Sequence, residues 1–264
     1  MIRESRLFYL DQAKAERVLK LAPPGDTERD GIFLSERVEA IEGGETVYAA
    51  VENRSSEPVR LEWLSFEVDT GFDPGFSAHF FKHGYQSWSA SYPAIIGDSA
   101  PLQTRSLLTR ISHQSEVQRP ETAPENRTSE LFTIVESDSS PERLLCGFIG
   151  AANQFTTLTL TSLSQLTARA LLDRVWLRPG ERVTVEPLVY WRSRHQPAHM
   201  AARWAELFGG RMNARVSAAY QRGWCSWYHY FAAITEAALV SNLHKLKELR
   251  REFPVEVIQL DDGF

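Results

Sequence analysis

Apolar and polar residues alternate along most of the chain between positions 30 and 192, with the period of a β-strand that buries one face. The segment TVYAAVENRSSEPVRLEWLSFEVDT predicts a hairpin of two runs joined by the polar positions 53–58. RLLCGFIG and QFTTLTLTS predict a second strand pair, joined across positions 150–153. Strands are also expected on both sides of Pro179-Gly180, which favours a turn. Many short strands separated by turns indicate a β-sandwich.

One of these predicted strands changes phase along its length. Val59, Leu61 and Trp63 share one face, whereas the apolar residues at positions 64, 66 and 68 share the other. Such a slip predicts a β-bulge or a strand that crosses between sheets. Positions 93–130 lack periodicity and are rich in Ser, Thr, Pro and Arg, so they are expected to form long surface loops with at most short strands.

The pattern becomes helical after Trp191. PAHMAARWAELFGG predicts a helix that stops at Gly209-Gly210. YQRGWCSWYHYF then predicts a buried strand, followed by a helix capped by Thr235 whose leucines recur at spacings of three and four. VEVIQLDD predicts a second strand. A strand, a helix and a strand within about 45 residues indicate a parallel βαβ unit, which by itself cannot cover the faces and edges of a parallel sheet. The sequence therefore favours an incomplete second domain.

Composition and charge exclude several classes of function. With a formal net charge of -5 and no run of Lys and Arg, the chain has no electrostatic basis for binding nucleic acid. No apolar stretch approaches the ~20 residues of a membrane span. The N-terminus lacks the features of a secretory signal, and Cys146 and Cys225 form no pattern, so a reduced, cytoplasmic protein is expected. His pairs four residues apart have no third ligand, and there is no Gly-rich phosphate loop, so neither a metal nor a cofactor is expected.

Asp261-Asp262 is the first candidate for chemistry. The pair follows the second predicted parallel strand, and such strand ends form active sites in barrels. Adjacent residues on a strand point to opposite sides, so the two carboxylates cannot flank a scissile bond as nucleophile and acid. They are suited to accept hydrogen bonds from sugar hydroxyls. The alternative is a solvated Asp-Asp-Gly turn.

Two aromatic segments are further candidates. In the first predicted strand of the βαβ unit, alternation puts Trp224, Ser226 and Tyr228 on one side, and Cys225, Trp227 and His229 on the other. Aromatic rings there can stack on sugar rings or fill the interior of a barrel. HGYQSWS at positions 83–89 predicts an ordered loop that presents Trp88, with packing in the sandwich as the alternative.

These segments together resemble glycoside hydrolase family 36, the bacterial α-galactosidases and their raffinose-synthase-like relatives. The matching pieces are YQSW at Tyr85–Trp88, GWCSWYHYF at Gly223–Phe231 and FPVEVIQLDDGF at Phe253–Phe264. The resemblance is loose up to position 192 and close from 219 onward. It implies a β-supersandwich over residues 1–195, a helical linker over 196–218, and the first βαβ unit of a (β/α)8 TIM barrel over 219–264.

The resemblance also implies a function for the whole protein, the retaining hydrolysis of terminal α-D-galactosyl residues. Asp261 and Asp262 would hold galactose hydroxyls distant from the bond that is cut. Trp227 and Tyr228 would line the pocket, and Trp88 would close its side from the sandwich domain. The α-galactoside is thus the expected partner, and no cofactor is implied.

The family's nucleophile and acid/base follow later barrel strands, so none of the 264 residues is assigned a catalytic role and the chain alone is expected to be inactive. Three alternatives stay open at this point. The chain is a galactoside-binding remnant without catalysis, a related α-glycosidase or α-galactosyltransferase, or a protein whose barrel a separate polypeptide completes. A homo-oligomer is compatible with each of them.

Overall fold

The computed structural model of the chain describes residues 1–22, 24–73, 75–84, 91–96, 128–216 and 221–262. The chain divides into two compact units, Met1–Ala214 and Arg215–Phe264. The first unit is built from antiparallel sheets, and the second contains a parallel strand pair. No helix in the described ranges has both the length and the apolar character needed to cross a membrane.

Two antiparallel sheets of the first unit form the sandwich. Among the described residues, sheet 1 consists in spatial order of β2 (Glu16–Leu21), β1 (Ile2–Leu10), β6 (Val59–Asp69), β13 (Gln165–Leu177), β12 (Thr156–Ser162) and β9 (Thr128–Glu130). Sheet 2 consists of β3 (Gly25–Arg29), β4 (Ile32–Ile41), β5 (Gly44–Asn53), β15 (Leu188–Ser193), β11 (Arg143–Phe148), β10 (Phe132–Ser137), β7 (Ala78–Lys82) and β8 (Tyr92–Ile96), with β14 (Arg182–Thr184) also paired to β5.

The hydrophobic core lies between these sheets. Phe66 on β6 and Phe148 on β11 are both fully buried, and their ring centroids are 6.2 Å apart across the core. The same apolar cluster includes Leu7 and Leu64 from sheet 1 and Leu34 from sheet 2. The predicted β-sandwich is therefore confirmed, because the apolar positions of the alternating runs meet in one core.

Both strand pairs predicted from neighbouring runs are wrong. β5 lies in sheet 2 and β6 in sheet 1, so positions 53–58 cross from one sheet to the other. Asn53 is fully buried at this crossing, and its Nδ2 donates to the carbonyls of Glu57 at 2.7 Å and Leu177 at 2.8 Å. β11 and β12 are likewise in different sheets. Alternation indicates that a segment is a strand, but it does not indicate which strand is its partner.

The phase change in β6 is confirmed as a β-bulge. The pairing of β6 with β1 moves from Phe8 opposite Trp63 to Tyr9 opposite Leu61, which leaves Glu62 as an extra residue. The bulge lets Leu61 and Leu64 both reach the core, where each is fully buried. Most of the loop region predicted at 93–130 lies outside the described residues; its ends belong to β8 and β9.

Helix α1 (Pro197–Arg211) covers the outer face of sheet 2, and it confirms the predicted helix. Proline at the first position suits a helix start, where its missing N–H is not needed. Trp204 stacks on Phe132 with ring centroids 4.2 Å apart, and its Nε1 donates to the Phe148 carbonyl at 3.1 Å. The helix thus packs on the sandwich through a buried aromatic contact.

The second unit has the predicted strand–helix–strand order. Its elements are β16 (Gly223–Cys225), the short helix α2 (Trp227–Tyr230), a 3-10 turn (Phe231–Ala233), helix α3 (Glu236–Leu249) and β17 (Val257–Gln259). β16 and β17 pair in parallel, which confirms the βαβ unit. Thr235 caps α3, because its side chain accepts a hydrogen bond from the Ala238 N–H at 3.2 Å.

The first strand of this unit is shorter than the sequence predicted. Ser226 has helical dihedral angles, with φ -67° and ψ -32°, so β16 ends at Cys225 and α2 follows at once. The predicted alternation of faces from Trp224 to His229 is therefore wrong beyond Cys225. Aromatic residues favour strands in general, and tertiary context overrides this preference here.

Candidate functional site

A cluster of polar groups joins the carboxyl ends of β16 and β17. The Asp261 N–H donates to the Ser226 Oγ at 2.9 Å, and the Ser226 N–H donates to the Gln259 carbonyl at 3.1 Å. Ser226 is fully buried. Because both strands are bonded to the same serine, the residues that follow the two strands are held close together at the carboxyl end of the strand pair.

The Asp261 carboxylate is oriented by its neighbours. Its Oδ2 accepts from Gln259 Nε2 at 2.9 Å and lies 3.6 Å from the Cys225 Sγ, while its Oδ1 accepts from the Asp262 N–H at 2.9 Å. Asp261 is half-buried and Asp262 is exposed. We call this group, Cys225, Ser226, Gln259, Asp261 and Asp262, the strand-end cluster. It presents one fixed carboxylate beside one that is open to solvent.

Trp227 and Tyr228 begin helix α2, directly after Ser226. Trp227 is half-buried and meets the Phe231 ring edge-on with centroids 5.5 Å apart, whereas Tyr228 is 84% exposed. The hydroxyl of Tyr230, at the end of this helix, accepts a hydrogen bond of 2.7 Å from Asn242 Nδ2. That bond links α2 to α3. The backbone that carries Trp227 and Tyr228 is therefore held in place.

The base of the predicted aromatic loop at positions 83–89 is anchored in the first unit. The His83 N–H donates to the Ser129 Oγ at 2.7 Å, and His83 Nδ1 lies 3.1 Å from the Glu130 carbonyl. The neighbouring Lys82 is buried, which lowers its pKa to about 8, and the charge of Glu130 offsets part of that shift. Trp88 itself lies outside the described residues.

Two residues of the strand-end cluster were not selected from the sequence as functional. In the sequence Ser226 is one polar member of an aromatic run, and Gln259 lies within an apolar strand segment. Ser226 could have been recognised from the sequence, because it is a small polar residue among aromatic residues at the end of a predicted strand. Nothing in the pattern marks Gln259, because its role depends on the distance to Asp261. Among the described residues, no group of three or more His, Cys, Asp or Glu side chains is arranged to hold a metal ion.

No known protein-family model matches the chain. Its fold is nevertheless similar to those of solved α-galactosidases of glycoside hydrolase family 36. AgaB from Geobacillus stearothermophilus matches with a TM-score of 0.57 and 12% identity, over 97% of this chain and 39% of AgaB. The α-galactosidase from Lactobacillus brevis matches with a TM-score of 0.55 and 11% identity, over 97% of this chain and 38% of that one.

A third structure adds information about ligands. A variant of AgaA from Geobacillus stearothermophilus, in complex with stachyose, matches with a TM-score of 0.55 and 15% identity, over 89% of this chain and 32% of AgaA. The chain thus spans between about a third and two fifths of the length of these structures. At such identities the similarity establishes a shared fold, and activity has to be argued separately.

Proposed function

We propose that the chain is the N-terminal part of a retaining α-galactosidase of glycoside hydrolase family 36, which releases terminal α-D-galactosyl residues from oligosaccharides. The observation that carries this proposal is the fold similarity, which extends over 97% of the chain and so includes both compact units. The segments GWCSWYHYF and FPVEVIQLDDGF, which resemble the family most closely, lie in the second unit, around β16 and β17.

In this proposal residues 219–264 are the first βαβ unit of a (β/α)8 barrel, residues 1–195 the supersandwich, and residues 196–218 the linker between them. The surface of the parallel pair supports the barrel assignment. Ile258 on β17 and Leu260 just after it are 41% and 42% exposed, although parallel strands are normally buried on both faces. Further strands and helices of a barrel would cover these apolar residues.

The strand-end cluster would form one wall of the galactose site. Asp262 is the better candidate for direct contact with sugar hydroxyls, because its carboxylate is exposed while that of Asp261 already accepts hydrogen bonds from within the chain. Trp227 and Tyr228 would supply ring faces for the apolar side of the sugar. Trp88 would contribute from the supersandwich.

These residues bind and orient, and they do not perform the displacement. Retaining hydrolysis needs two carboxyls about 5–5.5 Å apart on either side of the glycosidic bond. Asp261 and Asp262 are adjacent in the chain, and the Asp262 N–H is bonded to the Asp261 carboxylate, so they cannot flank a sugar. The isolated 264-residue chain is therefore expected to have no hydrolytic activity.

The test begins with the natural reading frame around the chain. The protein that this frame encodes is expressed and assayed on 4-nitrophenyl α-D-galactopyranoside, with the β-galactoside and the α-glucoside as comparisons. We expect turnover of the α-galactoside, with α-galactose as the first product. Preference for the α-glucoside would instead support a related α-glycosidase. A frame that stops after Phe264, together with binding of galactose but no hydrolysis, would support a binding module and contradict the enzyme.

The role of the strand-end cluster is tested in the same assay. Asp262→Asn should lower kcat/KM by about a hundredfold or more, since a charged hydrogen-bond acceptor is lost from the site. Asp26→Asn is the matched control, because Asp26 is an exposed carboxylate on β3 of the sandwich. Normal kinetics of the Asp262 variant would remove the strand-end cluster from the proposed site.

A further inference from the structure

Described residues of the first unit line two adjoining cavities, of about 370 Å³ and about 400 Å³, that share three wall residues, Asn153, Gln154 and Asp173. The smaller cavity is also lined by Leu61 of sheet 1 and by Arg182 and Thr184 of β14 in sheet 2. The larger one is lined by residues on both sides of Phe155. We call the two together the rim groove. Its lining includes residues of β6 and β13 in sheet 1 and of β14 in sheet 2.

An irregularity of β13 shapes one wall of this groove. The pairing of β13 with β6 moves from Leu171 opposite Trp63 to Val175 opposite Leu61, so that positions 172–174 leave the ladder. Asp173 and Arg174 both have positive φ, 50° and 59°. Two consecutive non-glycine residues in the left-handed region are unfavourable, and such strain persists mainly where the structure uses it. Here it accompanies the placement of Asp173, an exposed residue, in the wall common to both cavities.

The wall segment at positions 152–154 is held in place by Glu186. This carboxylate is buried, and its Oε1 accepts hydrogen bonds from the N–H groups of Ala152 and Asn153, each at 3.1 Å. Gln154 Nε2 donates to the Thr184 carbonyl at 3.3 Å, and its Oε1 accepts from the Glu186 N–H at 3.0 Å. The wall is therefore ordered before any ligand arrives, which reduces the entropy that binding would lose.

The lining chemistry points to a neutral, hydroxyl-rich ligand. In the smaller cavity Asp173 offers a carboxylate and Arg182 a guanidinium. The larger cavity is also lined by the Glu130 carboxylate, whose charge acts on the neighbouring Lys82 ammonium. Each carboxylate of the groove is thus matched by a cation of the first unit. Asn153 and Thr184 add polar groups that can donate or accept. Phe155, which is 54% exposed, also lines the larger cavity. A phosphate or carboxylate ligand would meet two lining carboxylates, Asp173 and Glu130, against the single guanidinium of Arg182. An apolar ligand would leave the polar walls unpaired.

We propose that the rim groove, which is formed by residues of the first unit, binds a neutral oligosaccharide. The two cavities have the volumes of small-ligand sites, and together they would accept adjoining sugar units of one chain. The ligand class follows from the lining. Only the choice of an α-galacto-oligosaccharide as the first probe rests on the proposed function.

The experiment is a calorimetric titration of the 264-residue chain with stachyose, and with maltotetraose as a neutral tetrasaccharide of different linkage. We expect binding that Asp173→Gly weakens at least about tenfold. Glycine accepts the left-handed backbone at position 173, so this variant removes the carboxylate without forcing a new conformation. Arg182→Gln should weaken binding similarly, and thermal unfolding confirms that both variants stay folded.

Asp262→Asn separates this proposal from the proposed function, since it alters the strand-end cluster alone. Binding that survives in this variant and is lost in Asp173→Gly supports the rim groove, whether or not the full enzyme hydrolyses α-galactosides. Binding that is lost in Asp262→Asn and unchanged in both groove variants overturns the groove and leaves the strand-end site supported. If neither tetrasaccharide binds at ~10 mM, the proposed groove site is also overturned. Binding of inorganic phosphate that is lost in Arg182→Gln would also overturn the proposal, because the groove would then be an anion site.

Discussion

The main-chain N–H of Asp261 donates a 2.9 Å hydrogen bond to the Oγ of Ser226, 35 positions earlier in the chain. Ser226 follows β16 directly and Asp261 comes shortly after β17, so this one bond joins the carboxyl ends of the two parallel strands. It also fixes the backbone on which the Asp261 and Asp262 side chains are carried. The candidate sugar site thus depends on a serine that contributes no charge.

Ser226→Ala should release the Asp261 backbone. The buried acceptor is lost and the N–H is left unpaired, which costs about 1–3 kcal/mol locally. Hydrogen exchange at the Asp261 amide should become at least about tenfold faster, as measured by NMR or mass spectrometry. Ser241→Ala is the control, because Ser241 is exposed on α3. Equal exchange rates in the two variants would contradict a structural role for Ser226.

Glu36 should make the stability of the sandwich depend on pH. Its carboxylate is buried on β4 with no well-formed hydrogen bond to either oxygen, and burial raises its pKa from 4.5 to about 7, although Ser5 offsets part of the rise. Because the folded state holds the proton more tightly than the unfolded state, the stability is complete below pH 4.5 and falls as the pH rises to about 7. The loss amounts to about 3 kcal/mol.

Urea unfolding at about pH 5 and about pH 8 measures this loss. Glu36→Gln should flatten the profile over that interval, since glutamine carries no proton to lose. Glu39→Gln, an exposed position on the same strand, should keep the wild-type profile. Parallel profiles of wild type and Glu36→Gln would show that another group causes the pH dependence.

Gly147→Ala should destabilise the contact between α1 and sheet 2. A Cβ at this position would lie 2.6 Å from the Phe132 Cβ and 2.8 Å from the Trp204 Nε1, so the stacked rings would have to move. Overpacking of this kind costs about 1–3 kcal/mol. Gly210 lies in helix α1, and a Cβ at this position would meet no atom within 4 Å. Gly210→Ala should therefore be neutral or stabilising by about 0.5–1 kcal/mol. Denaturant unfolding of both variants measures this difference in stability. Similar unfolding midpoints for Gly147→Ala and Gly210→Ala would contradict the packing argument.

Glu186→Ala should loosen the segment that forms one wall of the rim groove. The variant leaves the N–H groups of Ala152 and Asn153 without their acceptor and deprives Arg211, 3.7 Å away, of its ion pair. We expect a loss of about 2–4 kcal/mol in unfolding free energy and faster proteolysis at this segment. Glu206→Ala, an exposed position on α1, controls for the lost charge. A Glu186→Ala variant as stable as that control would mean that the segment is held by other contacts.

The candidate site was predictable in part. Asp261 and Asp262 could be selected because the sequence placed them after an apolar strand, and a strand end is a local property. The support given by Ser226 and Gln259 could not be selected, because it arises only when two strands separated by a helix lie side by side. The same holds for Glu186, whose partners Ala152 and Asn153 lie 34 and 33 positions away.

The sequence by itself determined the local elements: the alternating strands, the bulge beside Leu61, helix α1 and the Thr235 cap. Each depends on residues within a few positions of one another, so periodicity and capping chemistry suffice. The tertiary structure decided which strands pair. Strands β5 and β6 are neighbours in sequence but lie in opposite sheets. Strand β16 ends at Cys225 because the backbone of Ser226 already has helical dihedral angles. Pairing is set by burial of apolar faces across the whole sandwich, a long-range free energy that no local window contains.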